Sequence, residues 1–346
     1  MTTTVLHDEI YEQPAAAQRL LDSQTGAVHA MAQRLRGQFD GILIAARGTS
    51  DNAARYAQYL FGAFNRLPVA LATPSLFTLY NQPPRLNRLL VIGISQSGQS
   101  PDIVAVLAEA HHQGQPTLAI TNLPQSPLAL ASDFVIPLHA GPELAVAATK
   151  TYTTSLAALA LLSIALDEDP ARLAALQRTP QLMQETLDGM TPLMERVERY
   201  LYMDRCAVVG RGYNYATAFE TALKVKELTG VVAEPYSSAD FRHGPVAIVR
   251  NGFPVMVIAP QGVVYGDMAE LVTSLRKLNA ELVLVSNQPD LLKLANLALP
   301  IPADAPEWLT PLLAVIPGQC FALNLTLVKG YNPDQPKGLT KVTETF

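Results

Sequence analysis

Leu89-Leu90-Val91-Ile92-Gly93-Ile94-Ser95-Gln96-Ser97-Gly98-Gln99-Ser100 runs from a continuous apolar stretch into a loop of small polar residues. The apolar part is predicted to be a buried parallel strand, and Pro101 to Leu107 opens a helix. Strand, polar loop and helix together aim backbone N–H groups and the positive end of a helix dipole at one point. Such a point suits an anion, usually phosphate. Three serine hydroxyls and two glutamine amides add uncharged donors around it.

The rest of the chain repeats this grammar. Short β-rich runs alternate with helical patterns, which predicts an α/β fold with parallel sheets. Ile42-Leu43-Ile44-Ala45-Ala46-Arg47-Gly48 resembles Cys206-Ala207-Val208-Val209-Gly210-Arg211-Gly212, with Arg211 164 residues beyond Arg47. Leu90–Ile94 matches Pro254–Ile258 at the same spacing, while Asn122 matches Asn287 and Ile136-Pro137 matches Ile301-Pro302 at 165. Four strands holding one spacing identify two copies of one module. Each copy is predicted to alternate strand and helix four times and to close on a longer helix, Thr149 to Leu166 and Thr310 to Val328. Ligands should sit outside the carboxyl ends of the strands.

The expected layout is an N-terminal helical segment (1–38, with a helical pair over Pro14–Gln38), a first module (39–170), a helical linker (171–199), a second module (200–330) and a tail (331–346). The copies differ at their ligand loops. The first has Arg47-Gly48-Thr49-Ser50-Asp51-Asn52 and the serine-rich loop, so it can hold a phosphate at two neighbouring helix starts. The second has Arg211-Gly212-Tyr213-Asn214-Tyr215 and Ala259-Pro260-Gln261-Gly262, which lacks hydroxyls, and is expected to be a scaffold.

Composition narrows the function. The chain has 346 residues, 49% apolar and 16% charged, with a mean hydropathy of +0.16, room for two domains with real cores. A net charge of −5 and no basic cluster argue against a nucleic-acid partner. The N-terminus has no signal-peptide pattern, and the most apolar helix candidate, Leu156–Leu166, is too short to span a bilayer. A cytoplasmic protein with no membrane partner is expected. Cys206 and Cys320 are read as core residues, and no His/Cys/carboxylate spacing suggests a metal. His7, His111, His112 and His139 are read as structural or surface residues.

The candidate chemistry lies in the second copy. On the predicted helix Tyr215–Gly230, Glu220, Lys224 and Glu227 share one face, a spacing that by itself describes a solvated salt-bridge ladder. Downstream, His243 sits in a polar turn before Gly244-Pro245, an unusual setting for a core histidine.

Together these residues resemble the isomerase half of glutamine–fructose-6-phosphate aminotransferase, built from two sugar-isomerase (SIS) domains. The likeness extends from Glu9 to Lys341. It rests on Glu9-Ile10-Tyr11-Glu12-Gln13-Pro14, Arg47-Gly48-Thr49-Ser50, Ser95-Gln96-Ser97-Gly98, Ala145–Lys150, Ala222–Glu227, Arg242-His243-Gly244-Pro245 and Asp334-Gln335-Pro336. The resemblance implies two flavodoxin-like parallel sheets flanked by helices. It implies that Thr49, Ser50, Ser95, Gln96, Ser97, Gly98 and Ser100 hold a sugar phosphate. Glu227 would shuttle the proton between C1 and C2, and His243, reaching from the other subunit of a homodimer with shared sites, would open the ring. Lys341 would form a Schiff base with the open-chain ketose, and Lys224 would tune Glu227 or hold a substrate hydroxyl. No cofactor or metal is implied.

Two departures shape the expected activity. The chain begins Met1-Thr2, without the cysteine nucleophile of a glutaminase half, and the residues around Lys341 and at Ala148 differ from the synthase pattern. Without an ammonia donor, the expected direction is glucosamine 6-phosphate to fructose 6-phosphate and ammonia. A fructosamine-6-phosphate deglycase, a phosphosugar aldose–ketose isomerase and a non-catalytic sugar-phosphate sensor are the alternatives. The accumulated product tells them apart.

Overall fold

The computed structural model describes residues 4–341. Among these residues, ten strands form two five-stranded sheets, and every pairing is parallel. The first sheet contains β1 (Gly41–Ala46), β2 (Val69–Leu71), β3 (Leu89–Ile94), β4 (Thr117–Thr121) and β5 (Phe134–Pro137), in the order β2-β1-β3-β4-β5. The second contains β6 (Arg205–Gly210), β7 (Val232–Ser237), β8 (Pro254–Ile258), β9 (Glu281–Ser286) and β10 (Leu297–Pro300), in the order β7-β6-β8-β9-β10. Counted within each copy, both are the flavodoxin-like order 2-1-3-4-5. The duplication is therefore one of topology as well as of sequence.

That order places the switch point between the first and third strands of each sheet. Ala46 is in register with Ile94, so the loops that leave β1 and β3 begin side by side. These are the loops that carry Thr49, Ser50 and Ser95–Ser100. Aliphatic side chains beneath them hold the strands: Leu43, Val91 and Ala119 pack against Ile103, Val106 and Leu107 of the helix Pro101–His112.

Three expectations need correction. Each copy has five strands, not four. β2 has only three residues, and β7 contains Glu234-Pro235-Tyr236, which reads as a turn. Both are edge strands, where proline and poor alternation are tolerated. The N-terminal helical pair over Pro14–Gln38 is one long helix, Gln13–Leu35, preceded by the short helix Val5–Tyr11. The most apolar helix is not Leu156–Leu166. It is the Glu307–Val328 segment, which is long and apolar enough to cross a membrane by composition but has 83% of its apolar window buried in the protein, the placement of a core helix.

The chain divides into two compact units. One holds the first sheet and comprises Ala15–Glu143, Lys150–Gln177 and, among the described tail residues, Thr340 and Lys341. The other holds the second sheet and comprises the N-terminal segment up to Pro14, Leu144–Thr149 and Arg178–Leu339. In the second-sheet unit, Asp334 accepts hydrogen bonds from the backbone N–H groups of Val5 (3.0 Å) and Leu6 (2.9 Å), capping the first helix. The buried Glu9 carboxylate accepts from Leu144 N and Ala145 N, fixing that inserted segment. Two motifs that carry the resemblance thus have structural work of their own.

Candidate active site

In the first-sheet unit, the loop Ser95–Ser100 is folded by its own side chains. The Ser95 hydroxyl accepts from Gly98 N at 3.1 Å, and the Ser97 hydroxyl accepts from Gln99 N at 3.3 Å. Gly98 has φ +60°, and a Cβ there would stand 2.5 Å from the Ser126 Cβ, so no other residue fits without displacement. Leu128 N donates to Gly98 O at 3.0 Å and Asn122 N to Gln96 O at 3.1 Å, so the loop is tied to the segment beyond β4. The helices that start at Gly48 and Pro101 have no side-chain cap at Arg47 or Ser100. Ser50 N donates to Arg47 O at 3.1 Å and Ile103 N to the Asp102 carboxylate at 2.9 Å, so local acceptors close the first turn of each helix. Arg47 joins the two helix starts: its Nε donates to the buried Asp102 carboxylate at 2.8 Å. Thr49, Ser50, Ser95, Gln96, Ser97, Gly98 and Ser100 all belong to this paired-loop cradle.

Lys341 lies in the same unit. Its Nζ donates to the Glu143 carboxylate at 3.2 Å, and that side chain is fully buried. Glu143 also accepts from Thr151 N at 3.0 Å and from the Thr151 hydroxyl at 2.7 Å. A buried carboxylate held by the Thr151 N–H and hydroxyl therefore fixes where the tail amine stands. Sequence reading missed Glu143. Its only signal is an acid standing between the apolar β5 and an apolar helix. The tail beyond Lys341, expected to cover the site, lies outside the described residues.

The equivalent cradle of the second sheet is filled from within. Glu307 Oε2 accepts from Val263 N at 2.9 Å and lies 2.5 Å from where a Cβ on Gly262 would stand. Asn287, the counterpart of Asn122, accepts from Gln261 N at 2.7 Å. A carboxylate of the chain thus occupies the loop that corresponds to Ser95–Ser100 of the first copy.

The charged trio of the helix Tyr215–Thr229 departs from the solvated ladder its spacing describes. Lys224 Nζ lies 2.6 Å from Glu227 Oε2 and 3.4 Å from Glu220 Oε1. The side chains of Glu220 and Lys224 are 0% and 1% exposed, whereas Glu227 is 25% exposed. Burying such a group is costly, and a chain that retains it has a use for it more often than a core does. Only Glu227 of the three reaches solvent, with a buried ammonium behind it. The helix is held down by close packing: a Cβ on Gly318, in the helix Thr310–Val328, would stand 2.7 Å from Thr221 Cγ2.

His243 is on a different element of the same unit. It caps the short helix Ser238–Arg242 that follows β7, and its ring is exposed. Ser237 opens that helix by accepting from Asp240 N at 3.0 Å. Beside it, Asp267 receives Arg211 at 2.9 Å, the Ser238 hydroxyl and Arg242. Burial acts to raise the Asp267 pKa, but the hydrogen bonds from Ser238, Arg242 and Arg211 outweigh it and hold the carboxyl below the ordinary aspartate range. Asp267 escaped the sequence reading, although the repeat that pairs Arg47 with Arg211 at 164 residues pairs Asp102 with Asp267 at 165.

Comparison with known proteins agrees with this architecture. Residues 38–165 and 203–329 each match the SIS domain family. The chain is 35% identical to glutamine–fructose-6-phosphate aminotransferase (isomerizing) of Aquifex aeolicus over 336 residues, covering 96% of this chain and 56% of that one. It thus spans little more than half the length of such relatives. The crystal structure of a candidate phosphosugar isomerase from Silicibacter pomeroyi DSS-3 superposes with a TM-score of 0.86 at 35% identity, covering 96% of this chain and all of that one. The C-terminal domain of the Francisella tularensis glucosamine–fructose-6-phosphate aminotransferase superposes at 0.89 with 26% identity, covering 96% and 98%. With both sheets and both matched segments in agreement, the chain belongs to the SIS-domain family and carries two copies of the domain.

Proposed function

We propose that the protein acts on an amino-sugar 6-phosphate, converting glucosamine 6-phosphate and water to fructose 6-phosphate and ammonia. The observation that carries this reading is the buried Glu220–Lys224–Glu227 trio, which presents one hydrogen-bonded carboxylate to solvent. The first-sheet cradle supplies the phosphate handle, through Ser50, Ser95, Ser97, Ser100, Thr49, Gln96 and the backbone at Gly98.

The roles follow from the chemistry. His243 takes the proton from the anomeric hydroxyl and returns one to the ring oxygen, which opens the ring. Glu227 removes the C2 proton and delivers it to C1, so that C1 becomes an alcohol and C2 an imine. Lys224 stabilises the carboxylate while it is unprotonated and takes up a substrate hydroxyl when the proton is carried. Water adds to the C2 imine and ammonia leaves. Lys341 provides an amine that can exchange for ammonia at C2 before that hydrolysis, and Glu143 positions it. As in the SIS relatives named above, sugar-phosphate handling is the common ground.

The test is product analysis with glucosamine 6-phosphate, a fructosamine 6-phosphate and an unsubstituted hexose 6-phosphate. Ammonia and fructose 6-phosphate in equal amounts from the first are expected. A free amino acid from the second, or only an isomer from the third, assigns the site to a deglycase or a plain isomerase instead.

A further inference from the structure

The second copy has kept a charge pair whose counterpart serves the anion cradle of the first, although its own cradle is occupied by Glu307. In the first copy, Arg47 after β1 meets Asp102 in the first turn of the helix after β3. In the second, Arg211 after β6 meets Asp267 in the first turn of the helix after β8, at 2.9 Å. What Asp267 has in addition is Arg242. One guanidinium nitrogen of Arg242 reaches the Asp267 carboxylate, and the other donates to the Asp267 carbonyl at 2.7 Å. The contact is forked, so it fixes orientation as well as distance. Ser238, at the start of the same turn, donates to the same carboxylate.

His243 is the next residue. Its exposed ring follows two consecutive anchors: Phe241, fully buried among the side chains of the second-sheet core and 5.2 Å from the Tyr236 ring, and Arg242 in its fork. Its own N–H donates to Ala239 O at 3.3 Å and Asp240 O at 3.1 Å, and Gly244 follows with φ +139°. The turn is therefore clamped on its N-terminal side and bends sharply beyond. We propose that Asp267, acting through Arg242, is the positioning group that sets where the His243 imidazole stands.

This inference rests on the reading that His243 opens the sugar ring, so the test separates the two. Arg242 is exposed, and Arg242→Met leaves the Arg211–Asp267 pair in place, so the variant is expected to fold. With glucosamine 6-phosphate, Arg242→Met and Asp267→Asn should each lower kcat about 10- to 100-fold with KM changed by less than about threefold. Arg242→Lys, which keeps the charge but not the fork, should recover only part of the loss. In a His243→Ala background neither change should cost anything more. Losses that multiply with that of His243→Ala, or no loss at all, overturn the inference. If His243→Ala turns over at the wild-type rate, or glucosamine 6-phosphate is not a substrate, the ring-opening reading fails and a second readout decides the positioning. In the 13C-histidine NMR spectrum, the His243 ring signal should move to the random-coil position in both variants while the other histidine signals stay. An unmoved His243 signal overturns the inference.

Discussion

At the scale of single residues, Gly98 makes the sharpest case. Its left-handed backbone lets the loop turn, and its missing side chain lets Ser126 approach. Gly98→Ala should destabilise the protein by about 2 kcal/mol or more, from the left-handed conformation and the overpacking together. The loss should appear in a denaturant midpoint, accompanied by weakened fructose 6-phosphate binding. The two cysteines give a prediction of the opposite kind. Burial pushes both the Cys206 and Cys320 thiols up to about 12, so at pH 8 neither should react with iodoacetamide until the protein unfolds. Rapid labelling of the native protein would contradict that placement. Residues with a sequence motif around them, such as Ser95–Ser100 and His243, could be picked out from the chain alone. Glu143 and Asp267 have no such motif; Glu143 meets Lys341 from 198 residues away and Asp267 meets Arg242 from 25 away, contacts that only folding makes.

At the scale of elements, the helix Tyr215–Thr229 matters most. Its periodicity announces a charged face, but Glu220 and Lys224 on that face are buried, while Thr221 of the same helix packs against Gly318 of Thr310–Val328. Periodicity reports which residues share a face, not what covers the face. Lys224→Met removes the ammonium between two carboxylates, one of them fully buried, and should cost about 3–5 kcal/mol. Thermal unfolding compared with Glu227→Gln checks this, since the partly exposed Glu227 should cost much less. Central strands were legible because they are buried on both faces and read as apolar runs. The edge strands β2 and β7 were not, because an edge relaxes the pattern that identifies a strand.

At the scale of the molecule, duplication followed by divergence explains the division of labour. The fixed repeat spacing made the two sheets legible before any coordinates. The filling of the second cradle by Glu307 is hidden in the sequence, since Glu307 lies 44 residues from the Val263 N–H it meets. One consequence is stoichiometric: calorimetric titration with fructose 6-phosphate should give one site per chain, and two would contradict the filled cradle.

The central claim is that Glu227 moves a proton between C1 and C2 of an amino-sugar phosphate. Its most direct test is ammonia release from glucosamine 6-phosphate, followed by a coupled glutamate dehydrogenase assay, for the wild-type protein and for Glu227→Gln. The account predicts release with a matching yield of fructose 6-phosphate, and a fall of about 10²- to 10⁴-fold in the variant while fructose 6-phosphate still binds. Unchanged release by Glu227→Gln, or none from the wild type, would contradict it.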